Sequence, residues 1–235
     1  MISIITVNLN NVEGLSNTLN SIFIQRHQPK EVIVVDGGST DGSLECINEN
    51  SENITFWVSE QDNGVYHAMN KGLKLANGEF CLFLNSGDYF YDDLVLERFI
   101  KLLDTKSVLV YGLIKWEGNQ KLWNPPAGIK DFEMAFHSLI PHQGAFFKTS
   151  IIKKIGGYKE EFKVISDWGL MLEIIKRRFK VQKIDLIISI CENQGISSTM
   201  ENIISYERIK YLLKFSLFTL FRAYLYNFKN YFSKK

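Results

Sequence analysis

The sequence predicts an α/β fold, in which helices flank a mainly parallel sheet, with an amphipathic helical extension at the C-terminus. Strand-like and helix-like segments alternate from residue 3 to residue 88, which is the pattern of βαβ units. Continuous apolar runs at 32–35 and 80–84 are typical of strands buried on both faces of a sheet. Apolar residues near the C-terminus repeat at helical spacing, which indicates the extension.

The elements follow from the periodicity of apolar residues, taken in chain order. In the first half, strands are predicted at 3–8, 31–36, 54–59 and 80–84, and helices at 12–25, from the turn at 37–42 to residue 50, and at 65–75. In the second half, strands are predicted at 108–116, 121–123, 144–148 and 181–191. Helices are predicted at 94–103, just before Gly156, and at 167–176. We expect one domain over 1–200, followed by a tail over 201–235.

Composition excludes several classes of protein. The chain has 235 residues, which suits one large α/β domain with a small appendage, and its net charge of +1 argues against a polyanion-binding protein. Cys46, Cys81 and Cys191 show no CxxC spacing, which argues against a disulfide framework or a zinc site. Neither a signal-peptide pattern nor a run of about 18 uncharged apolar residues is found, so we expect a cytoplasmic protein.

The tail differs from the rest of the chain. Residues 202–235 contain seven Lys or Arg against one acid, Glu207, together with ten aromatic residues. Two interpretations stay open. The tail packs on the domain or on a second copy in a homodimer, or it lies at the inner face of the cell membrane with its cations toward anionic lipids. The apolar stripe comprises Leu213, Leu217, Leu220, Phe221, Tyr224, Phe228, Tyr231 and Phe232.

Polar side chains follow two of the predicted strands. Asn85, Ser86 and Asp88 follow the strand at 80–84, and Asp36 ends the strand at 31–36. Ligands of parallel sheets bind at the carboxyl ends of strands, and Mg²⁺ and Mn²⁺ prefer oxygen ligands. The Asp36 carboxylate can accept a hydrogen bond from a base or a ribose hydroxyl, or it can hold a turn; Asp41 is better placed to cap a helix. The sequence contains neither a GxGxxG motif after the first strand nor a P-loop motif, which disfavours those nucleotide sites.

Six motifs occur in order along the chain: VVDGGSTDG (34–42), DNGVYHAMNKG (62–72), ANGE (76–79), LNSGD (84–88), PHQG (141–144) and SDW (166–168). Together they resemble those of family 2 glycosyltransferases, and most closely those of bacterial exopolysaccharide and O-antigen biosynthesis. The resemblance covers residues 1–200 and implies a nucleotide-binding half (1–90) and an acceptor half (91–200).

The resemblance further implies a GT-A fold with a Rossmann-like sheet, a nucleotide-diphosphate sugar donor such as a UDP-sugar, a divalent cation (Mn²⁺ or Mg²⁺) and inversion at the anomeric carbon. The acceptor would be a saccharide, with a lipid-linked saccharide as one form.

The resemblance also assigns roles to residues. Asp88 would bind the metal, and Asp167 falls where the family places its catalytic base. An acceptor hydroxyl needs such a carboxylate to take its proton. His142, Gln143 and Trp168 would line the acceptor or donor pocket. The residues expected to bind the nucleotide sugar are Val7, Asn8, Asp36, Gly38, Ser39, Gly64, Asn70, Lys71, Asn85 and Ser86.

Structural alternatives stand beside these roles. Asp167 at a helix start is also typical of an N-cap residue. Trp168 is equally consistent with a core aromatic residue. Lys71 is equally consistent with a solvated lysine on a helix, and His142 is equally consistent with a structural histidine. Residues 193–198 resemble the loop that closes over the donor in this family.

The sequence departs from the family pattern at two places. The metal motif usually has acids at the positions of Asn85 and Gly87, so that Asp88 alone is kept. The base motif usually reads Glu-Asp with a further acid two residues on, whereas this chain has Ser166, Asp167 and Gly169 there. Both departures fall in the motifs that carry the chemistry.

Two other functions are consistent with the same architecture. A sugar nucleotidyltransferase would carry a glycine-rich, basic loop after the first strand, and residues 9–13 (LNNVE) are neither. A non-catalytic homologue that binds nucleotide sugars is favoured by the reduced metal motif.

Overall fold

A computed structural model describes residues 1–118, 121–127, 140–192 and 201–215. The strands are β1 (Ile2–Asn8), β2 (Glu31–Asp36), β3 (Phe56–Ser59), β4 (Phe80–Phe83), β5 (Tyr89–Phe90), β6 (Leu109–Trp116), β7 (Leu122–Trp123), β8 (Ala145–Lys148) and β9 (Val181–Cys191). The helices are α1 (Val12–Phe23), α2 (Ser43–Glu49), α3 (Val65–Leu75), α4 (Val95–Leu102), α5 (Thr149–Lys154), α6 (Ser166–Lys176) and α7 (Glu201–Phe215). Short 3₁₀ turns cover Ser51–Asn53 and His142–Gly144.

One sheet runs through the described residues in the order β3-β2-β1-β4-β8-β6-β9-β5, and β7 pairs with β6. The four strands from β3 to β4 are parallel, as are β6 and β9, whereas β8 is antiparallel to both β4 and β6. The predicted α/β fold with a helix-flanked sheet is therefore confirmed. The strand direction reverses between β4 and its neighbour β8. The loop that follows β4 therefore lies where the parallel part of the sheet meets the mixed part.

The predicted strands and helices are largely those observed, because the residues that are apolar in the sequence pattern are the residues that are buried in the structure. Every residue of β1, β2 and β4 is buried, as expected for continuous apolar strands. The predicted bounds of β2, α3 and β9 are the observed ones. The strand predicted from residue 54 begins at Phe56, on an edge of the sheet where Phe56 and Trp57 are exposed. The two-residue strand β5 was too short to give a periodic signal.

Helices cover both faces of the sheet. On one face, Leu15 and Leu19 of α1 and Phe99 of α4 pack in a cluster with Ile4 and Leu82. On the other face, residues of α3 and α6 pack with the alternate strand residues, such as Ile5 and Phe83. The strands therefore lie between two apolar layers, and the polar groups that a ligand can reach are expected at their ends.

Helix α7 packs on the domain through one face. The Glu207 carboxylate accepts the backbone N–H groups of Lys163 at 2.7 Å and Val164 at 3.0 Å. The Tyr211 hydroxyl donates to the Gly169 carbonyl at 3.0 Å, and its ring lies 5.5 Å from that of Trp168. This part of the tail thus packs on the domain, but through Glu207, Tyr211 and Leu212 and not through the predicted stripe, since Leu213 is 55% exposed. The rest of the stripe, within 216–235, lies outside the described residues. Within the described ranges, none of the helices has the length and hydropathy needed to cross a membrane.

Candidate active site

The loop after β4 is held in place by Thr18 of α1. The Gly87 N–H donates to the Thr18 hydroxyl at 3.1 Å, and that hydroxyl donates to the Asp88 carbonyl at 2.7 Å. The Asp88 N–H closes the turn on the Asn85 carbonyl at 2.9 Å, and Gly87 adopts a φ of 97°, which favours glycine. The turn is therefore fixed before any ligand binds. Sequence reasoning missed Thr18, because a polar residue within a helix carries no signal of its partners.

The Asp88 side chain points into the protein, and the residue is 7% exposed. Burial raises the pKa of Asp88 to about 6, against the opposing effects of the His142 charge, the Gln143 side chain and the Glu192 backbone. Gln143, predicted to line a pocket, thus lies beside Asp88. Its carbonyl is held by the Ser189 hydroxyl at 2.8 Å.

A second carboxylate lies next to this turn. A Cβ atom placed on Gly87 would be 2.6 Å from Oε2 of Glu192, the residue that follows β9. The Glu192 carboxylate therefore occupies the space in which a side chain at position 87 would begin. In the motif that the sequence resembles, an acid usually stands at position 87, and in this chain an acid reaches the same place from another strand. Sequence reasoning missed Glu192, because only the pairing of β9 in the sheet brings it there.

These carboxylates suit a divalent cation whose coordination is completed by a ligand. Among the described residues, no group of three or more His, Cys, Asp or Glu side chains is arranged to hold a metal. Mg²⁺ and Mn²⁺ sites commonly use one or two carboxylates together with substrate phosphates. A buried oxygen, Oδ1 of Asn85, also lacks a hydrogen-bond partner within the described ranges. Asp88 and Glu192 are therefore the two carboxylates at this turn from which a cation site completed by a ligand could be built.

His142 connects the turn after β4 to helix α6. Its Nε2 lies 3.1 Å from Nδ2 of Asn85, and its Nδ1 lies 3.6 Å from Oδ2 of Asp167. The Asn85 amide is placed to donate to Nε2, which leaves Nδ1 facing Asp167. The structure therefore brings together three residues that the sequence placed in separate motifs.

Asp167 lies in the first turn of α6, where a negative charge is favoured by the helix dipole. Its Oδ1 accepts the N–H of Trp168 at 2.8 Å and lies 3.5 Å from the Tyr66 hydroxyl, which itself donates to the Val164 carbonyl. The N-cap residue of α6 is Ile165, so the interpretation of Asp167 as the N-cap is wrong. The other carboxylate oxygen faces His142 and is available for chemistry.

Trp168 and Arg208 form a packed pair beside Asp167. The guanidinium carbon of Arg208, from α7, lies 5.2 Å from the Trp168 ring centre. Its Nε is buried and has no hydrogen-bond partner among the residues that the structure describes. Burial lowers the pKa of Arg208, with the charge of Asp167 acting in the opposite direction. Trp168 is only 1% exposed, so the structure corrects its predicted role in a sugar pocket to that of a core aromatic residue.

Asp36 organises the turn after β2. Its carboxylate is fully buried and accepts five hydrogen bonds, from the Asn8 amide, the Ser39 and Ser59 hydroxyls and the backbone of Gly38 and Ser39. Burial alone would raise the pKa of Asp36, but these hydrogen bonds outweigh it and lower the pKa. The turn role is therefore observed, and contact with a nucleotide stays a prediction.

The remaining residues of the predicted nucleotide site lie at the same edge of the sheet. Val7 accepts the Ser86 N–H on its carbonyl at 3.1 Å, which ties the end of β1 to the loop after β4. Oδ1 of Asn8 is buried without a hydrogen-bond partner in the described part of the chain. Gly38 (φ 81°) and Gly64 (φ 108°) take backbone conformations that favour glycine, and Gly64 leads into α3.

Asn70 and Lys71 are engaged by the protein itself. The Asn70 amide donates to the Tyr158 carbonyl at 2.9 Å and to Glu160 at 2.7 Å, and its oxygen accepts the Tyr158 N–H. Lys71 pairs with Asp62 at 2.6 Å and Glu60 at 2.7 Å. These contacts give Asn70 a structural role in joining α3 to the acceptor half, while the donor contacts of both residues stay predictions. The predicted donor loop at 193–198 lies outside the described residues.

Comparison with known proteins identifies the family. The model of glycosyl transferase family 2 matches residues 3–179. An uncharacterised glycosyltransferase of Mycobacterium tuberculosis is 33% identical over 177 residues, which cover 73% of this chain and 67% of the relative. A PGL/p-HBAD biosynthesis glycosyltransferase of Mycobacterium bovis is 31% identical over 208 residues, covering 85% of this chain and 80% of the relative.

Solved structures share the fold. Residues 1–349 of Staphylococcus aureus TarS, in complex with UDP-GlcNAc, align with a TM-score of 0.70 and 21% identity over 85% of this chain and 60% of that one. The mannosyltransferase PcManGT of Pyrobaculum calidifontis, in complex with GDP-Man and Mn²⁺, aligns with a TM-score of 0.68 and 18% identity over 91% of this chain and 63% of that one. This chain thus spans less than two thirds of either structure. The family match and the two mycobacterial relatives show that the chain is a glycosyltransferase and belongs to glycosyl transferase family 2.

Proposed function

We propose that the protein is an inverting glycosyltransferase that moves a sugar from a nucleotide-diphosphate sugar to a hydroxyl of a saccharide acceptor. The observation that carries the proposal is the position of His142, which lies between Asn85, in the turn that carries Asp88, and Asp167 at the start of α6. One carboxylate lies on the side of the predicted donor residues and the other on the acceptor half. Direct displacement needs groups on both sides of the anomeric carbon.

Asp167 is the proposed general base. A sugar hydroxyl is a weak nucleophile, so a carboxylate within hydrogen-bond reach must take its proton as the new bond forms. The Trp168 N–H and the Tyr66 hydroxyl lie on one Asp167 oxygen, and His142 faces the other. These neighbours orient the carboxylate and leave Oδ2 to receive the proton.

Asp88 is the proposed metal residue, with Glu192 beside it. A bound Mn²⁺ or Mg²⁺ would neutralise the charge that develops on the departing nucleoside diphosphate. Thr18 keeps the Asp88 backbone in place, and Asn85 holds His142 against the same turn. We place the nucleotide against the turn after β2, where Ser39 is half-buried and Asp36 and Asn8 support the turn from inside.

The donor and acceptor are proposed from relatives. TarS binds UDP-GlcNAc and PcManGT binds GDP-Man, which supports a nucleotide sugar and leaves UDP as our proposed nucleotide. One relative is named for PGL/p-HBAD biosynthesis. We propose a lipid-linked saccharide acceptor in cell-surface polysaccharide synthesis, of the exopolysaccharide or O-antigen kind.

A donor screen tests the proposal. Thermal unfolding is followed with UDP-, GDP- and dTDP-sugars, with and without Mn²⁺, because a ligand of the folded state raises Tm according to its affinity. We expect one UDP-sugar to raise Tm more in the presence of Mn²⁺, and the same donor to be slowly hydrolysed. If the nucleotide binds equally well with and without Mn²⁺ and no acceptor is glycosylated, the result would instead favour a non-catalytic homologue. Release of pyrophosphate from UTP and a sugar phosphate would identify a nucleotidyltransferase.

A further inference from the structure

Helix α7 presents an apolar face to solvent. Tyr206, Ile209 and Leu213 are 67%, 54% and 55% exposed, and their spacing places them on one side of the helix. With Lys210 they form what we call the outer face of α7. Together with Lys214 they line a shallow surface depression of about 380 Å³.

The orientation of this face is fixed by the opposite side of the helix. Glu207, Tyr211 and Leu212 are buried against the domain, and Glu207 is held by two backbone N–H groups. The outer face therefore cannot turn inward without breaking these contacts. Exposed apolar residues scattered over a surface are ordinary, but three on one side of one anchored helix indicate a binding surface.

The sequence at this end of the chain is basic, and on the helix itself Lys214 is paired with Glu161 at 2.6 Å. From Arg208 to the end of the chain the sequence contains seven Lys or Arg residues and no Asp or Glu. The sequence that follows α7, from 216 to 235, adds seven aromatic residues to four of these basic residues. Aromatic and apolar residues combined with cations are typical of segments that lie in the interface of an anionic membrane.

We propose that the outer face of α7 docks on an anionic lipid bilayer. Tyr206, Ile209 and Leu213 enter the interface, while Lys210 faces the lipid phosphates. A second copy of the chain is a poorer occupant, because two such segments would bring like charges together.

Docking would place the acceptor side of the site near the lipid. The inner side of α7 carries Arg208, which packs on Trp168 next to Asp167. Resting on the proposed function, this arrangement holds the candidate base close to a surface in which a lipid-linked acceptor would sit.

Vesicle flotation of the full 235-residue chain tests the proposal. The protein is mixed with phosphatidylcholine vesicles with and without phosphatidylglycerol. We expect at least about tenfold stronger binding to the anionic vesicles, weakening as salt is raised. The double variant Ile209→Ser/Leu213→Ser should bind at least about tenfold more weakly. A matched control, Leu102→Ser/Leu122→Ser, removes leucines that are 46% and 45% exposed elsewhere and should bind like the unmodified protein.

Three results would overturn the proposal: no binding to anionic vesicles, equal loss in both double variants, or full binding by Ile209→Ser/Leu213→Ser. A dimer in sedimentation velocity that this variant dissociates would assign the face to a second copy instead. Thermal unfolding of both variants confirms that they are folded. Because flotation requires neither donor nor turnover, its outcome is independent of the proposed reaction.

Discussion

Nδ1 of His142 lies 3.6 Å from Oδ2 of Asp167, and the other ring nitrogen lies 3.1 Å from the Asn85 amide. Asn85 follows β4, His142 precedes β8 and Asp167 begins α6, so one imidazole joins three parts of the chain. The contact places the candidate base at a set distance from the turn that carries Asp88. The predictions below follow from this arrangement and from the residues that support it.

Replacing Asp167 by Asn should remove the proposed base. We expect transfer to fall by about 10²–10⁴-fold, the range that a general base contributes, while the Tm increase caused by the donor stays the same. The measurement is sugar transfer together with thermal unfolding. Asp185→Asn, which changes an exposed carboxylate of β9, is the control and should leave transfer unchanged. Full activity of Asp167→Asn would rule out the assignment.

Asp88 and Glu192 should contribute unequally to cation binding. In Asp88→Asn we expect Mn²⁺-dependent donor binding to be lost. In Glu192→Gln we expect it to weaken by about tenfold, as for a residue that supports the principal ligand. Titration of Mn²⁺ by calorimetry or electron paramagnetic resonance, with donor present, measures both. Glu52→Gln, at an exposed site, is the control. Unchanged Mn²⁺ affinity in Asp88→Asn would place the cation elsewhere.

Thr18 should support the turn through its hydroxyl. Thr18→Val keeps the shape of the side chain but leaves the Gly87 N–H and the Asp88 carbonyl without this partner. We expect a loss of about 1–3 kcal/mol in the free energy of unfolding, a fall in Tm of roughly 2–10 °C, and weaker donor binding. Thr18→Ser retains the hydroxyl and should lie close to the unmodified protein. Equal effects of the two substitutions would show that the methyl group matters instead.

Asp36 should make stability depend on pH. Its pKa in the folded protein is lowered from the ordinary value of 3.8, so its stabilising effect is present above that value and is lost as pH falls through and below it. Asp36→Asn should therefore destabilise the protein by about 2–4 kcal/mol near neutral pH, and the difference should shrink toward pH 3. Chemical unfolding at several pH values measures this. A difference that does not change with pH would contradict the charged hydrogen-bond network.

Tyr211 should anchor α7. Tyr211→Ala removes a buried ring that packs on Trp168 and Gly169, and we expect a loss of about 3–5 kcal/mol in stability together with lower activity, because the wall beside Asp167 loosens. Tyr211→Phe keeps the ring and loses only the hydrogen bond to Gly169, at about 1 kcal/mol. Thermal unfolding and transfer assays separate the two. A Tyr211→Ala protein as stable as Tyr211→Phe would show that α7 is not anchored there.

Much of the fold could be predicted from the sequence, because strand and helix patterns are local. The apolar runs at 32–35 and 80–84 can only be accommodated between two apolar layers, and the bounds of β2, α3 and β9 follow from their periodicity. The family follows from ordered motifs, and the matches bear it out. The positions of Asp36 and Asp88 at strand ends were equally visible, since each follows an apolar run directly.

The partners of these residues were not visible, because contacts across the sheet depend on strand order and on helix docking. Five donors occupy the Asp36 carboxylate, α7 covers Trp168, and Glu192 reaches the Gly87 turn from the far end of β9. The apolar periodicity of a segment shows which of its faces is buried. It does not show which distant segment packs against that face. Local periodicity therefore located the strand ends that carry the site, whereas the long-range packing of α1, α6 and α7 determined which side chains meet there.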